Sequence, residues 1–145
     1  MATFNKFNDF SEQLARGVHD WDAHTFKIAL TNTAPTASDA SLLTGSSHPP
    51  PAAANGYTAG GTATTISISE TTGTTTVSGT QVVFTATAGG IGPFRYAVLY
   101  NDSATSPADA LVGWWDYASS ISLADTETFT VKFSNTTPGA IFTLA

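Results

Sequence analysis

Two aromatic-rich runs joined by a polar segment constrain this chain more than any other feature. They occupy residues 93–117, PFRYAVLYNDSATSPADALVGWWDY, and hold two of the three Trp and three of the four Tyr. In the first run Phe94, Tyr96, Val98 and Tyr100 alternate with Arg95, Ala97 and Leu99. A period of two places each set on its own face of an extended strand. Pro93 is expected to open such a strand and not to sit inside one, because it has no N–H to give the ladder. Asn101-Asp102-Ser103 is expected to end it, since short polar side chains bond nearby backbone and favour turns. Pro107 keeps the connection irregular, and Leu111 to Tyr117 resumes as a strand apolar on both faces. A hairpin of that kind belongs in the middle of a β-sandwich, so Phe94, Tyr96, Val98 and Trp114 are expected in the core, together with Phe26, Ile28, Phe84, Phe129, Val131 and Phe133.

The rest of the chain fits around it as one domain spanning 1–145, a size that buries roughly two-thirds of the unfolded surface. Residues 4–16 are expected to form one short helix, with Phe4, Phe7, Phe10, Leu14 and Val18 on one face. Thr3 can cap its start and Gly17 can close its end in a left-handed turn. That face must dock, either on the chain's own sandwich or on another subunit. Thr25 to Thr31 reads as a strand with Phe26, Ile28 and Leu30 inward. Residues 44–63, TGSSHPPPAAANGYTAGGTA, read as a long Pro/Gly-rich loop or arm. Beyond it, Ile66 and Ile68, Val82, Phe84 and Ala86, and Phe129, Val131 and Phe133 each alternate with polar residues. Val77, bounded by Gly73 and Gly79, and Ile141 to Leu144 complete the series. About eight strands after one helix predict an all-β, antiparallel sandwich of jelly-roll or Greek-key type.

Charge narrows the functional classes. The net charge is -6, with five scattered basic residues, which argues against nucleic acid as a partner. No apolar run approaches the roughly 20 residues of a membrane helix, and the N-terminus lacks the apolar centre of a signal peptide. The absence of Cys excludes disulfides and thiolate chemistry. Charged residues make up 11% of the chain, against roughly 25% in ordinary soluble domains. Thr and Ser replace them. A hydroxyl-dressed surface costs less to bury against a neighbour than a charged one, which points to extensive partner contact.

No pattern for catalysis emerges: the sequence holds no GxSxG, HExxH or P-loop. His19, Asp20, Asp22 and His24 form the one dense group of potential metal ligands, but at no familiar spacing, and a solvated turn is the expectation there. His48 beside three Pro reads as a loop residue rather than a base. Asp116 beside Trp114 and Trp115 could serve a sugar platform, or the trio could be core and edge of the sandwich. The expectation is a protein that is not an enzyme and needs no cofactor or metal.

Five blocks carry a family resemblance: MATFNKFNDF at the start, FKIALTNTAPT (26–36), GPFRYAVLYND (92–102), ADALVGWWDY (108–117) and SLADTETFTV (122–131). Together they resemble a family of small structural proteins of tailed-bacteriophage virions, associated with head decoration, or capsid cement. The resemblance implies a protein on the outer surface of the virion head, made in the host cytoplasm, with the major capsid protein as partner. It offers no site residues. A trimer matched to the three-fold positions of a capsid lattice is the expected self-assembly, with no membrane and no nucleic acid bound. Phe4, Phe7 and Phe10 of the helix face, and His48, Pro49, Pro50, Pro51 and Tyr57 of the loop, are the candidate contact residues. The alternative is a tail or fibre component that binds host-surface carbohydrate, whose mark would be an exposed Trp or Tyr platform on the central hairpin.

Overall fold

The computed structural model describes residues 2–42 and 50–145. In chain order these form β1 (Asn5–Lys6), α1 (Asn8–Ala15), β2 (Phe26–Thr31), β3 (Thr62–Thr64), β4 (Ile66–Thr71) and β5 (Thr74–Gly79). Then follow β6 (Val82–Thr85), β7 (Ile91–Thr105), β8 (Ala108–Leu123), β9 (Thr128–Val131) and β10 (Gly139–Leu144). The protein is an all-β, antiparallel sandwich with one short helix. Its five-stranded sheet runs β1-β8-β7-β2-β3; a three-stranded sheet, β10-β5-β4, and a two-stranded one, β6-β9, complete it.

The central hairpin is present and longer than the sequence suggested. The local bond expected of Asn101 does form, from the Ser103 N–H to Oδ1 at 3.0 Å. It shifts the register between Asn101 and Thr105 instead of ending the strand, and the turn falls at Ser106-Pro107. Pro93 lies inside β7, in a stretch where the register slips between Ile91 and Phe94, so its missing N–H breaks no regular ladder. A second slip sets Tyr96 opposite Asp116 but Phe94 opposite Ile121, which makes Tyr117 to Ser120 bulge from β8.

One face of this sheet carries Ile28 opposite Leu99, and Leu30 opposite Ala97, which in turn faces Trp115. Across the sandwich sit Val77, Phe84, Val131 and Phe133, all buried. Trp115 meets Phe133 at 5.3 Å between ring centres. An aromatic cluster closes one end: Trp21 stacks on Phe26 at 4.2 Å, and Phe142 meets Trp21, Phe10 and Phe4 at 5.5, 5.4 and 6.1 Å. Of the residues predicted to form the core, Phe26, Ile28, Phe84, Phe94, Val98, Val131 and Phe133 are buried, while Tyr96, Trp114 and Phe129 are half-buried.

The N-terminal segment departs from expectation. The helix spans Asn8–Ala15, not 4–16, because Asn5 and Lys6 pair instead with Trp114 and Gly113 of β8. Ladder bonds to a preformed strand outweigh a marginal first helical turn. Thr3 provides no cap; Phe7 occupies that position without a side-chain bond. Gly17 does adopt the left-handed conformation, at φ +74°. Gly113 is where this N-terminal segment, an extended arm up to Phe7, packs in: a Cβ there would lie 2.2 Å from Phe4 Cε2.

Residues 50–61 are likewise tied down and do not extend away as an arm. Tyr57 is buried against Phe84, and its hydroxyl accepts the Leu30 N–H at 3.0 Å. Tyr100 donates to the Gly60 carbonyl at 2.7 Å. A Cβ on Gly61 would lie 1.9 Å from the Ile28 carbonyl oxygen, so only glycine lets the backbones approach this closely.

Three substitutions test this packing. Phe26→Ala should lower unfolding free energy by about 3–5 kcal/mol, whereas Val83→Ala on the exterior should stay within about 0.5 kcal/mol. Tyr57→Phe should cost about 1–3 kcal/mol, because it leaves the buried Leu30 N–H unpaired. Urea denaturation followed by circular dichroism measures all three.

Candidate functional site

The residues singled out as contacts are mostly interior. Phe7 and Phe10 are buried, and Phe7 packs on Trp114 with ring centres 4.5 Å apart. Phe4 is half-buried between Trp115 and Phe142. The helix face therefore docks on the chain's own sandwich. Tyr57 and Pro51 are buried too, and only Pro50 is exposed. His48 and Pro49 lie outside the described residues. A lone aromatic in a Pro/Gly/Ala stretch carries no periodic signal, so Tyr57 could not be recognised from sequence as an anchor.

The His/Asp group is not a solvated turn throughout. His19 is 5% exposed, with its ring among Phe10, Trp21 and Phe26. Asn101, fully buried on β7, places its side-chain nitrogen 3.2 Å from the Val18 carbonyl, 3.3 Å from His19 Nδ1 and 2.9 Å from His24 Nδ1. An amide nitrogen only donates and carries two hydrogens, so His24, the nearest of the three, accepts at Nδ1. Asp20 turns inward on its own segment, accepting the N–H groups of Asp22 and Ala23. Among the described residues no three His, Asp or Glu converge to hold a metal ion.

Burial pushes the His19 pKa down from 6.5 to about 4; the neighbouring His24 pushes it the same way and Asp9 opposes. The unfolded chain thus binds a proton below pH 6.5 that folded His19 declines until about pH 4. Stability is full above the unfolded value, falls as pH drops through that window, and levels off below it. The expected loss is about 3 kcal/mol. Urea midpoints measured from pH 7 to 4 should show the decline, and His19→Phe should flatten it.

Trp114 and Trp115 point to opposite faces, onto Phe7 and onto Phe4 and Phe133 respectively. They cannot form one platform. Asp116 is held by Arg95 in a two-pronged pair, Nε to Oδ1 at 2.7 Å and the terminal nitrogen to Oδ2 at 2.8 Å. Oδ1 also accepts the Ala118 N–H. These bonds hold the Asp116 carboxyl below its usual pKa. The arrangement makes Asp116 a structural brace at the β8 bulge.

What the structure adds is a cleft of about 200 Å³ between the five-stranded sheet and β9. Ala97, Trp115 and Tyr117 line one side, and Phe129, Thr130 and Val131 the other, with Arg95 and Lys132 as its charged residues. Tyr117, 52% exposed, leans edge-on against Phe129 at 5.5 Å. Nothing in the sequence marked this site. Two of the five basic residues, Arg95 and Lys132, meet here although 37 positions separate them.

Comparison of the chain with protein-family models, with curated proteins and with solved structures found no match in any of the three.

Proposed function

We propose that this chain is a non-enzymatic structural protein of a tailed-bacteriophage virion, a cement protein that binds the outside of the head shell and stabilises it. The family resemblance of its sequence blocks motivates the reading, and the character of the exterior supports it best. All of β4 after Ile66 is exposed, and its side chains there are Ser67, Ile68, Ser69, Glu70 and Thr71. Thr85, Thr87, Ser119, Ser120, Ser122, Thr126 and Thr128 continue the hydroxyl surface elsewhere. Such a surface can be covered repeatedly at low desolvation cost, while the aromatic side chains hold the core rigid. Its partners in this reading are the major capsid protein and two further copies of itself, with no cofactor, nucleic acid or membrane.

Cementing needs only linkage. A protein that binds the assembled lattice better than free subunits stabilises the lattice by mass action, and repeated small contacts add avidity. A second reading, a tail or fibre module that grips host carbohydrate, draws on the exposure of Tyr117. Trp114 and Trp115, turned into the fold, weaken it.

Protein stripped from virions should sediment as a trimer, rebind bare shells and protect them from heat. A monomer that ignores shells but binds host-surface glycans would overturn cementing in favour of the second reading.

A further inference from the structure

We propose that the cleft beside β9 takes an extended acidic peptide segment, which adds as a strand to the free edge of β9. Backbone geometry carries the first part. Among the described residues β9 pairs only with β6. Ala86, just past β6, donates its N–H to the Glu127 carbonyl and accepts the Thr126 N–H at its own carbonyl, each at 2.9 Å. Both its backbone groups therefore point toward the β9 side. In an antiparallel ladder that orientation repeats every second residue, so Phe84 and Val82 face Phe129 and Val131 in the same way. The N–H and C=O of Thr128 and Thr130 then point away from β6, and Thr130 lines the cleft. An unpaired strand edge is a template for another backbone.

The cleft's shape and charge say what kind of strand. Trp115, Tyr117, Phe129 and Val131 wall an apolar space of about 200 Å³ over Ala97. That suits one aliphatic side chain of an added strand, the alternate residues pointing to solvent. Arg95 is matched by Asp116, whereas Lys132 is an exposed ammonium at the same edge. On a chain of net charge -6 this is a local positive spot. An edge lysine repels basic strands and admits acidic ones. A sugar fits less well, because both Asp116 oxygens are already engaged and few polar side chains remain to meet its hydroxyls. None of this depends on shell binding, so the two ideas fail separately.

The probe is a fluorescein-labelled six-residue peptide alternating leucine with threonine and carrying aspartate at both ends. Its controls carry lysine at both ends, or methyl groups on alternate backbone nitrogens. Fluorescence anisotropy with the full chain should show saturable binding of the acidic peptide. Each control should bind about ten-fold more weakly, the size of one or two lost hydrogen bonds or a mismatched charge. Amide shifts in nuclear magnetic resonance should move at Thr128, Thr130 and Lys132, and Lys132→Glu should reverse the charge preference. Equal binding of the methylated peptide, shifts that map elsewhere, or no saturable binding of any probe would overturn the proposal.

Discussion

The pairing of β7 with β8 is the constraint on which the rest of the structure depends. A two-stranded ribbon apolar on both faces cannot stand alone in water, so each face and edge must find a cover. The second edge of β7 is covered by β2, in register from Phe26 opposite Asn101 to Thr31 opposite Tyr96. The second edge of β8 is covered in part by the two-residue β1. The face bearing Ala97, Leu99 and Trp115 receives the smaller sheets. Asn101 then fastens the connection between α1 and β2 through Val18, His19 and His24. A buried polar group with several partners is an effective fastener because losing them would leave it unpaired in the interior.

Much of this was legible in the sequence where period and burial coincide. Phe26, Ile28 and Leu30, and Val82, Phe84 and Ala86, point inward as their alternation implies. Legibility failed where one signal had two physical causes. Phe4, Phe7 and Phe10 share helical spacing, yet the first two belong to an extended arm whose partner, β8, lies more than a hundred residues on. By local chemistry Asn101 should end a strand and Pro93 should stand at the start of one, but the ladder absorbs both as register slips. Tyr57 and His19 are single residues in polar or flexible-looking stretches, and only the folded chain shows which surface they enter. The cleft beside β9 was invisible for the same reason: its walls come from three strands.

The inside and outside of the molecule obey opposite chemistries. Rings and aliphatics fill the interior, hydroxyls dress the exterior, and ion pairs are sparse. Lys27 with Asp102, at 2.8 Å, and Arg95 with Asp116 both brace the central hairpin. The corner formed by Tyr117 and Phe129 is the exception, where aromatic surface and a cation reach solvent together. A mixed surface of that kind suits selective contact better than the uniform hydroxyl faces around it.

The two-residue β1 has a consequence for how the chain reaches this state. Asn5 meets Trp114, and Phe4 nests in the space that Gly113 leaves open. During synthesis the N-terminal aromatics therefore emerge long before the strand that receives them. The five-stranded sheet closes only once β8 has been made, so its contacts are distant in sequence and slow to form. Until then Phe4, Phe7 and Phe10 are exposed apolar side chains on an unfinished chain, the condition in which nascent β proteins are most prone to associate wrongly.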